Sequence, residues 1–222
     1  MSTSVMSMEL SQSLARSGVM PLYAVVGEED YLRDHAVAAL RTAALGAASE
    51  SGFNYDIFHG DDSSIGDVLA CAAEIPVFAE RRVVVYKSVE KLPAREGEKL
   101  LSYLASPNET TTLIVMGAKL DGRLKWTQAL TKRAVTVNCA PLREAQLLAW
   151  IRQEAASSGV RLHEDAIQLL REVGSESLYA VKRELEKLAA YVPSDRTVQS
   201  SDVEALRGTE PGASVFDLLN AI

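Results

Sequence analysis

A short apolar run at 22–26 ends at Gly27 and leads into a helical pattern, which is the outline of a phosphate-binding loop. Such a loop needs further glycines, so that the backbone can approach the phosphates, and a lysine that reaches the terminal ones. This chain has Glu28, Glu29 and Asp30 instead. Carboxylates favour a helix N-terminus but repel a triphosphate. We therefore expect these acids to cap and charge the helix, and we expect no nucleotide at this turn.

The other reactive side chains do not indicate a metal centre or a nucleophile. The segment 59–62, HGDD, stands at the end of an apolar run, where turn residues are common. Cys71 and Cys139 lie far apart, and no histidine stands at ligand spacing from either. We expect both to be buried, reduced thiols in a cytoplasmic protein, and we expect no metal or cofactor.

The most basic stretch of the chain is 119–133, KLDGRLKWTQALTKR, although the net charge of the protein is -7. That charge argues against a free-standing nucleic-acid binder. The stretch could still line a path for DNA through phosphate contacts, which carry no sequence information. A solvated helix face with Trp126 in the core is the alternative. The candidate DNA-facing residues are Lys119, Arg123, Lys125, Lys132 and Arg133.

Apolar runs alternating with helical patterns must position these residues. Five runs occur, at 22–26, 53–58, 82–86, 112–116 and 134–138. Three of them are continuous rather than alternating, as in strands that are covered on both faces. Helical patterns at 31–44, 65–74, 96–104 and 124–131 stand between the runs. The alternation predicts an α/β unit with a mostly parallel five-stranded sheet flanked by helices.

After Pro141 the strand signals stop and amphipathic helical patterns take over. They run over 142–157, 164–173, 178–191 and 201–206. We therefore predict an α/β domain at 1–140, a small all-helical domain at 141–208, and a linker with the start of a truncated domain at 209–222. No apolar run is long enough to span a membrane.

A sheet followed by a small helical domain is the layout of AAA+ ATPases, but the residues that an ATPase needs are missing. The strand that should carry magnesium-binding acids ends at Lys87 and Ser88. Where an active module would place a nucleotide-sensing arginine, the segment 177–179 reads SLY. Together with the acids after Gly27, this pattern indicates AAA+-like architecture without its chemistry.

Five segments in this order resemble the delta subunit of the bacterial DNA polymerase III clamp loader. They are LYAVVGEEDYL, FNYDIFHGDD, IPVFAERRVVVYKSVEKL, TTLIVMGAKLDGRLK and RELEKLAAYV, and the terminal SVFDLLNAI resembles the start of the family's collar domain. The resemblance implies a subunit that does not hydrolyse ATP and that opens or holds open one interface of the sliding clamp. It implies as partners the clamp (beta subunit), primed DNA, and the gamma/tau and delta prime subunits, the last two contacted mainly through the collar.

The resemblance places the clamp contact at Pro76, Val77 and Phe78, where the family often has a Leu-Phe pair. The residues independently allow this reading. The helical pattern at 65–74 has its own apolar stripe, Pro76 stops it, and an aliphatic and an aromatic residue follow. The alternative is that Phe78 folds back as a lid on the core. The smaller Val77 would change the fit to a clamp pocket.

Two other functions stay open at this point. One is an NTPase or phosphotransferase with an unusual phosphate loop at Gly27. The other is an AAA+-like adaptor that binds a different partner through the same apolar pair.

Overall fold

The computed structural model of this protein describes residues 3–47, 52–193 and 195–207. These residues fall into two compact units that divide between Pro141 and Leu142. The described part of the first unit holds a sheet with its connecting helices, and that of the second holds helices. The segment at 209–222, predicted to be a linker and a truncated domain, lies outside the described residues.

The first unit is built on one sheet whose neighbouring strands all pair in parallel. Its strands are β1 (Thr3–Met6), β2 (Leu22–Val26), β3 (Tyr55–His59), β4 (Arg82–Lys87), β5 (Thr111–Gly117) and β6 (Val135–Asn138). Across the sheet they stand in the order β1-β6-β2-β5-β4-β3. The predicted α/β class with a parallel sheet is thereby confirmed.

The predicted count of five strands is wrong, because the sheet has six strands within the part of the chain that the structure describes. The additional strand, β1, is the end strand of this described sheet and pairs with β6, with Val5 opposite Val137 and Met6 opposite Asn138. Its sequence, TSVM, has two apolar residues and no apolar run. Pairing with β6 thus supplies the backbone hydrogen bonds of a strand whose own sequence gives little signal.

The three strands predicted to be covered on both faces lie at the centre of the sheet. All seven residues of β5 are buried, and so are the first five of β4 and the first four of β2. Burial of one such aliphatic side chain stabilises the fold by about 1.5–3 kcal/mol. These continuous runs therefore contribute the largest apolar burial in this unit.

Helices connect the strands, as a parallel sheet requires. They are α1 (Leu10–Ser17), α2 (Asp30–Leu45), α3 (Ile65–Ala73), α4 (Ala94–Gly97), α5 (Leu100–Ala105) and α6 (Lys125–Arg133). In α3 the Ser64 hydroxyl accepts a hydrogen bond from the Asp67 N–H and so caps the first turn. The buried face of α3 includes Ile65 and Val68, and the helix ends ahead of Pro76.

The second unit is helical in the described part. Its helices are α7 (Glu144–Ser157), α8 (Glu164–Gly174), α9 (Leu178–Tyr191) and α10 (Ser200–Arg207). Each of the first three buries an apolar stripe, with Ile151, Leu170 and Leu185 fully buried. No helix among the described residues is both long and apolar enough to cross a bilayer.

The start of α10 depends on one carboxylate. Asp202 accepts hydrogen bonds from two nitrogens of Arg196, at 3.0 and 2.8 Å, and from the Gln199 N–H at 2.9 Å. The Arg196 contact holds the pKa of Asp202 below its ordinary value of 3.8. A carboxyl with a lowered pKa in the folded state stabilises the fold above its ordinary pKa and loses that effect as the pH falls through the lowered one.

We expect Asp202→Ala to lower the free energy of unfolding by about 1–3 kcal/mol at pH 7, because three charge-assisted hydrogen bonds are lost. The difference from the wild type should disappear as the pH falls below 3.8 toward the lowered pKa. Urea denaturation over a pH series measures both effects. Glu204→Ala, at an exposed position of the same helix, is the control; an equal loss there would contradict the assignment.

Candidate functional site

The turn after β2 is closed by the chain itself. Gly27 has φ +151, and a Cβ at this position would lie 2.0 Å from the carbonyl carbon of Cys139. The Gly27 N–H donates to the Gly117 carbonyl at 3.2 Å, and the Glu29 N–H donates to the Cys139 carbonyl at 3.0 Å. Two amides that would face a phosphate are therefore bonded within the protein, and glycine is needed here for close approach of the chain after β6.

Asp30 places its negative charge in the first turn of α2, as predicted. Glu29 occupies the N-cap position, where its side chain makes no hydrogen bond of standard capping geometry. Glutamate is longer than the residues that cap well. Burial raises the pKa of Glu29. Asp30 forms an ion pair with Arg33, whose guanidinium also donates to the Gly27 carbonyl.

At the end of β4 the structure has a cation where an ATPase would hold magnesium ligands. The Lys87 ammonium lies 3.0 Å from a carboxylate oxygen of Asp34 on α2. Ser88, the next residue, has a left-handed backbone with φ 55. Lys87 is therefore positively charged and paired with Asp34 at the position where a magnesium ion would need negatively charged ligands.

The other groups considered for metal or nucleophilic chemistry have ordinary partners. Asp61, in the segment 59–62, is paired with Lys91 at 2.7 Å, and this contact lowers the pKa of Asp61. Cys71 and Cys139 are buried free thiols, as predicted. Burial raises their pKa values to about 11 and about 12, so both are protonated at neutral pH. Within the described ranges, no cluster of three or more candidate ligands is placed to hold a metal.

Phe78 does not cover the core. Its side chain is 100% exposed, and Val77 beside it is 45% exposed. They lie in the connection from α3 to β4, together with Ile75, which is 82% exposed, and Pro76. The lid alternative is therefore wrong, because Phe78 is fully exposed. The connection presents an apolar surface to solvent.

Two buried polar side chains hold this connection. The sequence does not single out Asn54, and it suggests a solvated rim residue at Arg82, which is wrong because Arg82 is buried. Asn54, 1% exposed, accepts from the Val77 N–H and donates to the Val77 carbonyl, both at 2.7 Å. Arg82, 6% exposed, pairs with Asp56 at 2.6 Å and with Glu74 at 3.0 Å. A buried guanidinium has to be paired in this way. The only sequence signal for either residue was its polarity next to an apolar run.

The apolar connection and the closed turn lie at opposite edges of the sheet. The connection leads into the amino end of β4, and the Gly27 turn leaves the carboxyl end of β2. Because all strands are parallel, their amino ends share one edge and their carboxyl ends the other. Binding at the apolar connection is therefore separate from the position where an AAA+ module would hold nucleotide.

The candidate DNA-facing residues do not form one row. Lys119 and Arg123 line a cavity of about 420 Å³ between the connection from β5 to α6 and the residues that follow β4. Arg123 is paired with Asp121, whose pKa it lowers to about 2. Lys125 begins α6, and Lys132 with Arg133 ends it.

Arg133 also has a structural role. Its guanidinium donates to the carbonyls of Leu104 and Ala105 at the end of α5, at 2.8 and 2.7 Å. Trp126 is 3% exposed, which agrees with its expected place in the core. A role in DNA contact for the five basic residues stays a prediction.

In the second unit, the segment 177–179, where an active module would place a sensor arginine, forms the start of α9. Ser177 caps α9 by accepting from the Ala180 N–H at 3.3 Å, and Leu178 is buried. Tyr179 is 43% exposed.

We expect Gly27→Ala to lower the free energy of unfolding by about 2–4 kcal/mol, because the new methyl group would meet backbone atoms that cannot move aside. Chemical denaturation measures the change. Gly122→Ala is the matched control, since a Cβ there meets nothing within 4 Å. Similar stabilities for the two variants would contradict a structural need for glycine at the turn.

Known proteins resemble this chain over most of its length. The DNA polymerase III subunit delta of Bacillus subtilis (strain 168) is 24% identical over 227 residues, which cover 98% of this chain and 65% of that protein. A probable DNA polymerase III subunit delta of Aquifex aeolicus (strain VF5) is 22% identical over 213 residues, covering 90% of this chain and 59% of that protein. The chain therefore spans less than two thirds of the length of these relatives.

Solved structures share the fold. A DNA clamp loader delta protein of Bacillus subtilis superposes with a TM-score of 0.70 at 24% identity, covering 90% of this chain and 62% of that one. The RuvB Holliday junction branch migration motor of Thermotoga maritima gives 0.53 at 17% identity, covering 90% and 65%. The AAA+-like architecture expected from the sequence is confirmed.

The family to which the chain belongs is shown by a match over much of its first unit. The family described as DNA polymerase III, delta subunit, matches residues 23–140, which is more than half of the chain. The protein belongs to the DNA polymerase III delta subunit family.

Proposed function

We propose that this chain is the part of a clamp-loader delta subunit that binds the sliding clamp and opens or holds open one interface of the ring for loading onto primed DNA. The observation that carries the proposal is the fully exposed Phe78 beside Val77, on a connection held by buried polar residues. Membership of the delta family and the fold shared with a clamp loader delta protein support it.

The apolar pair has the properties of an interface anchor. An aromatic side chain in water gains about 1.5–3 kcal/mol when a partner buries it. Interfaces concentrate their energy in a few such residues. Phe78 is the most exposed large apolar side chain found among the described residues, and the half-exposed Val77 and exposed Ile75 extend the same surface. A pocket on the clamp that admits Phe78 would therefore supply much of the affinity.

Ring opening requires more than affinity. A ligand shifts a conformational equilibrium only by the difference between its affinities for the two states. We propose that the surface around Val77 and Phe78 fits the clamp better when the neighbouring ring interface is distorted or open. Equal binding to closed and open rings would recruit the clamp without opening it.

In this proposal the subunit is non-catalytic and takes no cofactor. The amides of Gly27 and Glu29 are already bonded, and Lys87 is paired with Asp34. ATP-driven steps belong to the gamma/tau subunits. In the same proposal, residues 1–140 carry the clamp contact and 141–208 are a helical lid domain. Residues 209–222 would be a linker and the start of a collar domain, through which delta would join the gamma/tau and delta prime subunits.

The proposal also includes contact with primed DNA inside the assembled loader. Lys119, Lys125 and Lys132 are exposed cations suited to phosphate oxygens. Arg123 and Arg133 have partners within the chain. DNA contact would therefore depend more on the lysines than on the arginines.

We expect Val77→Ala combined with Phe78→Ala to weaken binding to the sliding clamp by a factor of about 100 or more, because two anchors of an interface are removed. Surface plasmon resonance with immobilised clamp and the full-length protein measures the affinity. Both side chains are exposed, so the thermal stability should not change. Tyr191→Ala, at a residue 58% exposed in the other unit, is the matched control. Unchanged clamp affinity in the double variant would overturn the site. A wild-type protein that does not bind the clamp but binds another protein, with that binding lost in the double variant, would favour the adaptor.

Calorimetric titration with ATP and Mg²⁺ separates this proposal from an NTPase. We expect no binding at millimolar nucleotide, since the turn has acids in place of the phosphate-binding lysine and its amides are bonded. An active AAA+ ATPase in the same buffer is the positive control. Micromolar affinity would contradict the proposal and favour nucleotide chemistry at this turn.

A further inference from the structure

We propose that Asn54 is the positioning residue of the clamp contact: it holds the backbone of Val77 and thereby presents Phe78 to the partner in one conformation. The inference rests on the proposed function, since it concerns the same surface. Asn54 itself is buried and does not touch the clamp.

The contact between Asn54 and Val77 uses both ends of the side-chain amide. The Asn54 oxygen accepts from the Val77 N–H at 2.7 Å, and its nitrogen donates to the Val77 carbonyl at 2.7 Å. These are the two bonds that a neighbouring strand would make to one residue. An amide can donate and accept at once, whereas a carboxylate only accepts and an alanine does neither.

Asn54 is itself fixed by the sheet. Its backbone carbonyl accepts from the Val83 N–H at 2.8 Å, at the start of β4. Its side chain is 1% exposed. The amide group that binds Val77 is therefore attached to the rigid part of the unit, on the residue before β3.

The middle of the apolar connection has no other backbone support. Among the described residues, no backbone-to-backbone hydrogen bond involves the segment 76–80. Arg82 pairs with Glu74 and Asp56, so it fixes the two ends of the connection and leaves the centre to Asn54.

The conformation that Asn54 holds is not one that the connection would keep by itself. Phe78 has φ +54, a left-handed backbone that L-residues with a large side chain rarely adopt. Its side chain makes no compensating contact with the core, because it is 100% exposed. Without a hold on the preceding residue, Phe78 would leave this conformation for more favourable backbone angles.

Release of Val77 should therefore lower clamp affinity without removing any group that touches the clamp. The apparent affinity of a surface falls with the fraction of molecules in the binding-competent conformation. If that fraction falls to about a tenth, the affinity falls about tenfold. The loss is smaller than that of removing Phe78, since the anchor is still present.

The test uses the full-length protein and immobilised sliding clamp, with Asn54→Ala, Phe78→Ala and the double variant. We expect about tenfold weaker binding for Asn54→Ala. In the Phe78→Ala background, Asn54→Ala should cost less than it does alone, because the fully exposed anchor is no longer there to be positioned. Asn108→Ala is the matched control: Asn108 donates to the Ala72 carbonyl at the end of α3 and does not contact Val77.

Amide hydrogen exchange distinguishes positioning from general destabilisation. In Asn54→Ala the Val77 N–H should exchange at least about tenfold faster, since its acceptor is gone. The Val83 N–H should keep its protection, because its acceptor is the backbone carbonyl of residue 54 and survives the substitution. Faster exchange at both amides would show loss of the fold and would overturn the inference.

The outcomes separate this inference from the proposed function. Unchanged clamp affinity in Asn54→Ala, with a large loss in Phe78→Ala, would overturn positioning and leave clamp binding at Phe78 standing. Unchanged affinity in Phe78→Ala would overturn the proposed site and the inference with it. Additive losses of clamp affinity in the double variant would also overturn positioning, because they would show that Asn54 acts independently of Phe78.

Discussion

All the strands of the described sheet run in the same direction, and most features of the first unit depend on this constraint. Each strand must be followed by a connection that returns to the starting edge, so helices cover the sheet and its central strands are buried on both faces. The same constraint gives the unit two chemically different edges. Residues that precede strands, such as Phe78 ahead of β4, lie at one edge; residues that follow strands, such as Gly27 and Lys87, lie at the other.

The carboxyl end of β2 has a geometry whose ordinary use is to bind ligands, and here the chain after β6 occupies it. In open parallel sheets, ligands sit beyond the carboxyl ends of the strands where the strand order reverses. In this chain the segment after β6 comes close to Gly27 and accepts the Glu29 amide. The glycine that would have admitted a phosphate admits a backbone carbonyl. The turn is therefore filled by backbone and forms part of the scaffold.

Much of the fold could be predicted from the sequence, because continuous apolar runs such as those of β2, β4 and β5 are direct signals of doubly covered strands. The strand β1 could not be predicted, since its four residues include only two apolar side chains and form a strand by pairing with β6. The position of the apolar pair could be predicted. Its exposure could not, because periodicity does not show which way a side chain in a connection points. The contact of Asn54 with Val77, across 23 positions, depends on the fold and leaves no local pattern.

The hold on Val77 also determines how this surface can change in evolution. Because the ends of the connection are fixed at Glu74 and Arg82 and its centre at Val77, an insertion or deletion would shift the anchor out of register with the asparagine. Replacement of the exposed side chains of Val77 and Phe78 disturbs none of these bonds, since those to Asn54 involve only the backbone of Val77. The connection can therefore diverge in chemistry at constant length, and a partner's pocket can change with it one side chain at a time.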